Sequence, residues 1–151
     1  PFAKGIRSKD CLAAKKYTGE VKRLDDSSKL TGKWSFENGV LNGKSKFFYP
    51  NGNLKLVNSL NQGLLEGSQK SYFPNGKLRE EYTSAQGKLE GKANSYFPDG
   101  NLRRAFNYNN NFMNGVLKSF DKQKHLVDYI AATPSSQKNI YTDIDMSYFD
   151  L

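Results

Sequence analysis

The sequence predicts an all-β fold, an antiparallel meander of stacked β-hairpins, on three observations. First, a 24-residue period runs without gaps from Tyr17 to about Ala132. Second, each central copy of the period carries two turn signals. Third, the segments between these signals are seven to nine residues long, which is strand length and too short for a typical helix. A fixed period of this size indicates an array of stacked units, here five hairpins with about ten strands.

A glycine marks the start of each copy. The five glycines are Gly19, Gly43, Gly67, Gly91 and Gly115. Five residues after each glycine stands a large apolar or aromatic residue: Leu24, Phe48, Tyr72, Tyr96 and Phe120. Eleven residues after each glycine stands a leucine: Leu30, Leu54, Leu78, Leu102 and Leu126. We expect the starting glycine to leave room for a cross-strand aromatic ring to lie over the backbone.

The two turn signals have different chemistry. The first is Pro-Asn-Gly or Pro-Asp-Gly, at residues 50–52, 74–76 and 98–100. Proline presets φ, Asn or Asp suits the next position, and glycine accepts the positive φ that closes the turn. The second is a polar cluster that ends in glycine, at residues 37–39, 61–63 and 85–87.

Alternation of side chains along the strands predicts two distinct faces. A four-residue loop would pair Phe73 with Leu78 and gather the apolar side chains on one surface, the apolar face. In the third copy this face would hold Leu65, Gly67, Gln69, Ser71, Phe73, Leu78, Glu80, Tyr82 and Ser84. Elsewhere it would hold Trp34, Phe36, Tyr49, Leu54, Leu56, Leu60, Phe97, Leu102, Phe106 and Tyr108. A three-residue loop with a bulge would change the pairing.

The opposite surface, the basic face, would interleave cations with aromatic rings. The cations stand three and twelve residues after the glycines, and the rings stand between them. We predict that a partner binds here, through Lys22, Lys46, Phe48, Lys55, Lys70, Tyr72, Arg79, Tyr96, Arg103 and Lys118. The alternative is that the rings are core on both faces of a curled sheet.

The ends of the chain depart from the repeat, which divides the sequence into three parts. Residues 1–16 are expected to form an N-terminal cap with a short helix that begins at Ser8. Residues 17–132 hold the five repeats. Residues 133–151 are too apolar for a disordered tail, so we expect this C-terminal segment to pack on the last repeat or on the apolar face.

The charge balance favours acidic partners. The formal net charge is +8, although residues 128–151 contain four aspartates and one lysine. A basic body attracts an acidic protein, anionic lipid or nucleic acid. Nucleic acid is disfavoured because the sequence contains no recognised nucleic-acid motif. The alternative interpretation is an ordinary charged surface that keeps the chain in solution.

The sequence offers no constellation for catalysis, a metal or a cofactor. His125 is the single histidine and Cys11 the single cysteine, so neither a catalytic triad nor an internal disulfide is expected. Glu80 and Glu81 are adjacent in a strand, so they point to opposite faces and do not act together. The glycines are turn glycines rather than a phosphate-binding loop. We therefore expect a binding protein and not an enzyme.

The turn signals and glycines resemble the variant MORN repeat. The resemblance is clearest at Gly63–Gly67 followed by Tyr72–Leu78, and residues 39–54 and 87–102 share it. It implies β-hairpins stacked into an elongated, curved and twisted sheet. Bacterial proteins of this kind resemble the YwqK-type antitoxin family, which implies an antitoxin or immunity protein that neutralises a toxin. Other MORN proteins imply an envelope or surface scaffold that contacts anionic lipid.

The expected compartment depends on which of these roles holds. An antitoxin would be cytoplasmic, whereas removal of a leader before Pro1 would place the protein outside the cytoplasm. The first residues, PFAKGIRSKD, have no apolar stretch of the kind a signal peptide needs.

Overall fold

The computed structural model describes residues 17–132, and every element in this range is a β-strand or a turn. The thirteen strands are β1 Gly19–Leu24, β2 Leu30–Glu37, β3 Val40–Leu41, β4 Gly43–Phe48, β5 Leu54–Asn61, β6 Leu64–Leu65, β7 Gly67–Tyr72, β8 Leu78–Ala85, β9 Lys88–Tyr96, β10 Leu102–Asn109, β11 Phe112–Met113, β12 Gly115–Phe120 and β13 Leu126–Ala132. The expected N-terminal cap and C-terminal segment lie outside the described residues.

All thirteen strands belong to one antiparallel sheet. Ten of them follow one another in the order β1-β2-β4-β5-β7-β8-β9-β10-β12-β13, and the three two-residue strands flank this path. Five hairpins result; four start at a periodic glycine, and the first strand of the fourth, β9, starts at Lys88 and contains Gly91. Within the described residues, β1 and β13 do not pair with each other, so the sheet is open. The predicted all-β meander of stacked hairpins is confirmed.

Tight two-residue turns connect one hairpin to the next. Asn38, Gln62, Gln86 and Asn110 all have φ near +50°, and the residue after each also has positive φ. Two consecutive residues with positive φ make a type I′ turn, whose twist matches that of the flanking strands. The glycines of the second turn signal therefore supply the second turn position.

The Pro-Asn-Gly loop has three residues, not four. The amide of Phe73 donates to the carbonyl of Lys77, and the amide of Gly76 donates to the carbonyl of Phe73, both at 2.8 Å. Gly76 has a φ of +82°, as a type I turn followed by a glycine bulge requires. Leu78 consequently pairs with Tyr72, so the expected pairing of Phe73 with Leu78 is wrong.

A second irregularity restores the expected register. The ladder shifts by one residue between Ser71 and Tyr72, which makes Arg79 the extra residue of a β-bulge. Beyond it Ser71 pairs with Glu80 and Gln69 pairs with Tyr82, as the sequence predicts. The same shift occurs in the β4–β5 and β9–β10 hairpins. The bulge moves Leu54, Leu78 and Leu102 from the predicted apolar face to pairing positions on the basic face.

The core lies on the apolar face and is largest over the third and fourth hairpins. Tyr82, Leu89, Ala93 and Tyr108 form one buried cluster, with Phe106 and Met113 packed against it. Leu56 and Leu60 extend the buried surface toward the second hairpin. At the first hairpins the same face is closed by the edge-to-face contact of Trp34 with Phe47, at 5.5 Å between ring centroids.

Buried polar side chains also line this face. Gln69 is completely buried, and its amide replaces a missing part of the backbone ladder. Its Oε1 accepts from the amide of Ser59 at 3.0 Å and its Nε2 donates to the carbonyl of Ser59 at 3.1 Å. Because a buried amide without partners costs free energy, this pairing explains how the glutamine is tolerated among apolar neighbours.

Two of the starting glycines, Gly43 and Gly67, have a different role from the one expected. Gly43 and Gly67 have φ near +90°, and the nearest groups to a Cβ built there are serine side chains rather than rings. The conformation of the backbone, not space for an aromatic ring, therefore requires glycine at these positions. Two glycines do lie against a ring: a Cβ built at Gly32 would be 2.5 Å from Cη2 of Trp34, and one built at the starting glycine Gly19 would be 2.8 Å from Oη of Tyr17.

Side-chain amides tie neighbouring hairpin loops together. Nδ2 of Asn51 donates to the carbonyl of Pro74, and Nδ2 of Asn75 donates to the carbonyl of Pro98, both at 3.0 Å. The other end of each amide accepts from a backbone amide two residues on within its own loop. The Asn of the turn signal therefore shapes one loop and fixes its distance from the next.

Candidate functional site

A single row of side chains crosses the whole basic face at right angles to the strands. Cross-strand pairing places its ten members side by side in the order Lys22, Lys33, Lys46, Val57, Lys70, Glu81, Asn94, Ala105, Lys118 and Tyr129. Neighbouring strands are about 4.8 Å apart, so the first three lysines stand close together. The row brings together the predicted site residues Lys22, Lys46, Lys70 and Lys118.

The predicted aromatic residues form a second, parallel row. Phe48, Tyr72 and Tyr96 pair with Leu54, Leu78 and Leu102 beside the bulge, and all six are half-buried. The fifth copy repeats the arrangement with Phe120 against Leu126, whose side chain is 54% exposed. Leucine neighbours thus hold the rings, which leaves part of each ring accessible beside the lysine row.

The cations at the bulge lie apart from the lysine row. The guanidinium of Arg103 is 5.8 Å from the ring centroid of Phe97, and Nζ of Lys55 is 5.7 Å from that of Tyr49. These are cation–π distances. Arg79 occupies the same position in the third hairpin and is half-buried. Lys55, Arg79 and Arg103 therefore pack near the turn end of the sheet, where the bulge disturbs the strict alternation that the sequence prediction assumed.

Two carboxylates neutralise part of the row. Lys33 contacts Glu20 at 2.7 Å, and Lys70 contacts Glu81 at 3.6 Å. Lys22, Lys46 and Lys118 have no ion pair with any described residue. The charge available to a partner is consequently densest at the N-terminal end of the row, over the first two hairpins.

Glu81 is held by three side chains of the basic face. It accepts hydrogen bonds from the hydroxyl of Tyr96 at 2.6 Å and from Nδ2 of Asn94 at 3.2 Å. The Tyr96 bond, with help from Asn94 and Lys70, lowers the pKa of Glu81 below its ordinary value of 4.5. Burial, and then the same bond, raise the pKa of Tyr96 to about 12. At neutral pH the carboxylate is therefore charged and the phenol neutral, and part of Tyr96 is committed to this network.

The repeat pattern predicted some members of the face and missed others. Lys33 and Glu81 stand fourteen residues after a glycine, where the other copies have Val57, Ala105 and Tyr129. A position that varies in this way gives no periodic signal. Alternation from Lys22 and Lys70 along the strands would have placed Lys33 and Glu81 on the basic face, because the cross-strand partner of a residue shares its face.

The remaining chemistry on the described residues is sparse. His125 and Asp121 bond to each other at 3.1 Å in the exposed turn between β12 and β13. Glu80 and Glu81 point to opposite faces, as expected, because Glu80 pairs with Ser71 and Glu81 with Lys70. Residues 17–132 contain no group of three or more side chains placed to hold a metal ion. The same residues include no helical stretch with the length and hydropathy that crossing a bilayer requires.

Fold and surface together define a β-hairpin repeat protein. Residues 41–58, 65–85 and 89–110 match the family model of the MORN repeat variant. The matched segments cover the second, third and fourth hairpins, which carry the Pro-Asn-Gly and Pro-Asp-Gly loops. MORN repeats are generally scaffold motifs that bind proteins or membranes, and they are generally not catalytic.

Similarity to whole proteins does not define the function of this chain. No curated protein matches the chain. Among solved structures, a chain of the crystal structure of a GtfA/B complex bound to UDP and GlcNAc is similar over 89% of this chain and 27% of that chain. The sequence identity is 11% and the TM-score 0.30. This chain thus spans about a quarter of that one, and likeness at this level transfers neither fold nor activity.

Proposed function

We propose that the protein is a non-enzymatic scaffold that binds an acidic protein through its basic face. The observation that carries this proposal is the lysine row, which runs beside a row of half-buried rings on one surface of the sheet. Rings held by their neighbours present contact area at low entropic cost, and complementary charge increases the rate of association. The sheet supplies a rigid platform on which both rows keep fixed spacing.

In its most specific form, the partner is a toxin and the protein is its antitoxin or immunity protein. The resemblance of the repeats to YwqK-type proteins supports this form. An acidic toxin surface would meet Lys22 and Lys46 first, because the available charge is densest there. Co-expression with the protein encoded beside it tests the idea, since an antitoxin restores growth that the toxin alone stops.

The alternative is an envelope or surface scaffold that contacts anionic lipid. Adjacent lysines on an open face favour it, because each lysine near an anionic surface contributes about 1 kcal/mol. Lipid binding of this kind weakens steeply with salt, whereas a complex that also buries the rings persists. The two functions are therefore separable by ionic strength.

One pair of variants tests whether the basic face binds the partner, whether that partner is an acidic protein or anionic lipid. In the first, Lys22, Lys46 and Lys118 are changed to Glu, which reverses three lysines that have no ion pair with a described residue. The control changes Lys29, Lys122 and Lys124 to Glu, all exposed in or beside the turns of the first and last hairpins. Both variants lose the same net charge, so only the location differs.

Binding is measured to the candidate protein partner and to vesicles with and without anionic lipid, at low and physiological salt. We expect the basic-face variant to bind at least tenfold more weakly and the control to bind nearly as well as wild type. Circular dichroism checks that both variants fold. Equal losses in the two variants would reduce the effect to net charge and remove the basic face as the site. Binding to vesicles alone, lost at physiological salt, would favour the lipid scaffold.

A further inference from the structure

The two edge strands of the sheet have the same geometry as the junctions inside it. Four junctions join the second strand of one hairpin to the first strand of the next. In each junction, the residue thirteen positions after one starting glycine pairs with the residue four positions after the next starting glycine. The residue fourteen positions after the first glycine pairs with the residue three positions after the next. The pairs are Gly32–Phe47 and Lys33–Lys46, Leu56–Ser71 and Val57–Lys70, Glu80–Ser95 and Glu81–Asn94, and Arg104–Ser119 and Ala105–Lys118.

The two edge strands, β13 and β1, correspond to the two strands that meet at each internal junction. β13 is the second strand of the last hairpin, and β1 is the first strand of the first hairpin. Within the described residues, β13 pairs only with β12 and β1 only with β2. Applying the register of the four junctions places Asp128 opposite Arg23 and Tyr129 opposite Lys22. One step further along the strands, Ile130 comes opposite Val21.

All three of these pairs are chemically complementary. Asp128 and Arg23 carry opposite charges on the apolar face, and directly opposed opposite charges stabilise a sheet. Tyr129 would set its ring beside the cation of Lys22 on the basic face. Ile130 and Val21 are both apolar and are 52% and 42% exposed. No pair brings together like charges or opposes a charge to an apolar side chain.

Within residues 17–132, the edge at β13 has none of the features that usually prevent strand addition. Proteins guard exposed edges with lysines, prolines, bulges or very short strands. β13 has seven residues, and its only charged side chain is Asp128. Its side chains Leu126, Val127, Tyr129 and Ile130 are all more than half exposed. An edge of this kind is suited to pairing with another strand.

We propose that β13 of one copy of this chain pairs with β1 of a second copy, in the register of the internal junctions. The contact uses different surfaces on the two copies, so it propagates head to tail as an open row or closes as a ring. The hairpins of successive copies would then form one continuous repeat array. The lysine row would continue across the junction, with Tyr129 of one copy beside Lys22 of the next. The proposal is independent of what the basic face binds.

The charge pair gives the first test, with the full chain. Asp128→Arg alone would place two positive charges opposite each other, at residues 128 and 23. Arg23→Asp alone would place two negative charges there. Sedimentation over a range of concentrations should show wild-type self-association, at least tenfold weakened in each single variant. The double variant with both changes should restore it. Asp26→Arg, in an exposed turn, is the matched control and should associate as wild type.

Cross-linking gives the register, in a Cys11→Ser background. Paired residues of antiparallel strands have Cα atoms about 4.5–5.5 Å apart, which suits a disulfide. Chains with Tyr129→Cys should therefore cross-link to differently tagged chains with Lys22→Cys, but not to chains with Lys46→Cys in the interior of the sheet. A monomer at every concentration with no mixed disulfide would overturn the proposal. Predominant cross-links between like chains would also overturn it, because they would show a symmetric dimer.

Discussion

Gly32 and Trp34 show how closely backbone and ring pack at the start of the apolar face. A Cβ at Gly32 would lie 2.5 Å from Cη2 of Trp34, well inside contact distance. The ring is also fixed on its other side, where it meets Phe47 edge to face at 5.5 Å. Gly32 is itself buried, so the indole cannot move aside without opening this part of the core.

We therefore expect Gly32→Ala to destabilise the protein by about 1–3 kcal/mol, the usual cost of overpacking a core. Urea denaturation measures the loss. The control repeats the substitution in a Trp34→Ala background, where the ring that causes the overlap is gone. There the cost should nearly vanish, because alanine suits a strand at least as well as glycine. An equal loss in both backgrounds would show that the ring is not the cause.

The residues that the sequence predicted are those the period repeats. Lys22, Lys46, Lys70 and Lys118 share one position, and the structure places them in one row. Alternation placed Gln69 on the apolar face, but the role of its amide could not be predicted from the period, because Ser45 and Ala93 occupy its position in the neighbouring copies. Its burial depends on its two hydrogen bonds to the backbone of Ser59, which are a property of the folded sheet rather than of the residue pattern.

At the scale of elements, the connecting turns differ in the residue at their first position. All four type I′ turns place their first residue at φ near +50°, yet this residue is Asn in two turns and Gln in the other two. Asparagine tolerates the left-handed region well, whereas other L-residues pay about 1–2 kcal/mol there. At the first turn position, Gln62 and Gln86 are consequently more strained than Asn38 and Asn110.

We expect Gln86→Asn to raise the free energy of unfolding by about 0.5–1 kcal/mol, since it relieves this strain. The hydrogen bond from the amide of residue 86 to Oε2 of Glu66 is a backbone bond and should remain. The reciprocal variant Asn38→Gln should lose a similar amount. Thermal and urea unfolding measure both changes. Stabilisation by Gln in both turns would contradict the assignment of strain to the backbone.

The hairpin loops show why strand pairing was only partly predictable. Both a four-residue loop and a three-residue loop with a bulge fit Pro-Asn-Gly in the sequence. The observed loop is the shorter one, since the Gly76 bulge closes it at Lys77. A second bulge at Arg79 then compensates, so the faces beyond it agree with the prediction while the pairing of Leu78 does not. Sequence alternation cannot reveal two offsets that cancel.

At the scale of the molecule, the described sheet is a linear array in which each hairpin contacts only its neighbours. Element contacts beyond adjacent strands are few throughout residues 17–132. In such an array stability is approximately a sum of hairpin terms and junction terms. Each added hairpin contributes one junction, and the residues at that junction decide whether the contribution is favourable.

Duplicating residues 67–90 directly after Glu90 tests this additivity. The inserted copy would place its own Lys70 opposite Glu81 of the original, in the register of the other junctions. We expect the six-hairpin protein to unfold at higher urea concentration, in one transition. Its denaturant m-value should increase by about one fifth, because m scales with the surface that unfolding exposes. A 24-residue Gly/Ser insert at the same site is the matched control and should lower stability slightly through loop entropy. If the duplicated hairpin stabilised the protein no more than the flexible insert, the hairpins would not be interchangeable units. The register shared by the four internal junctions would then not contribute to stability.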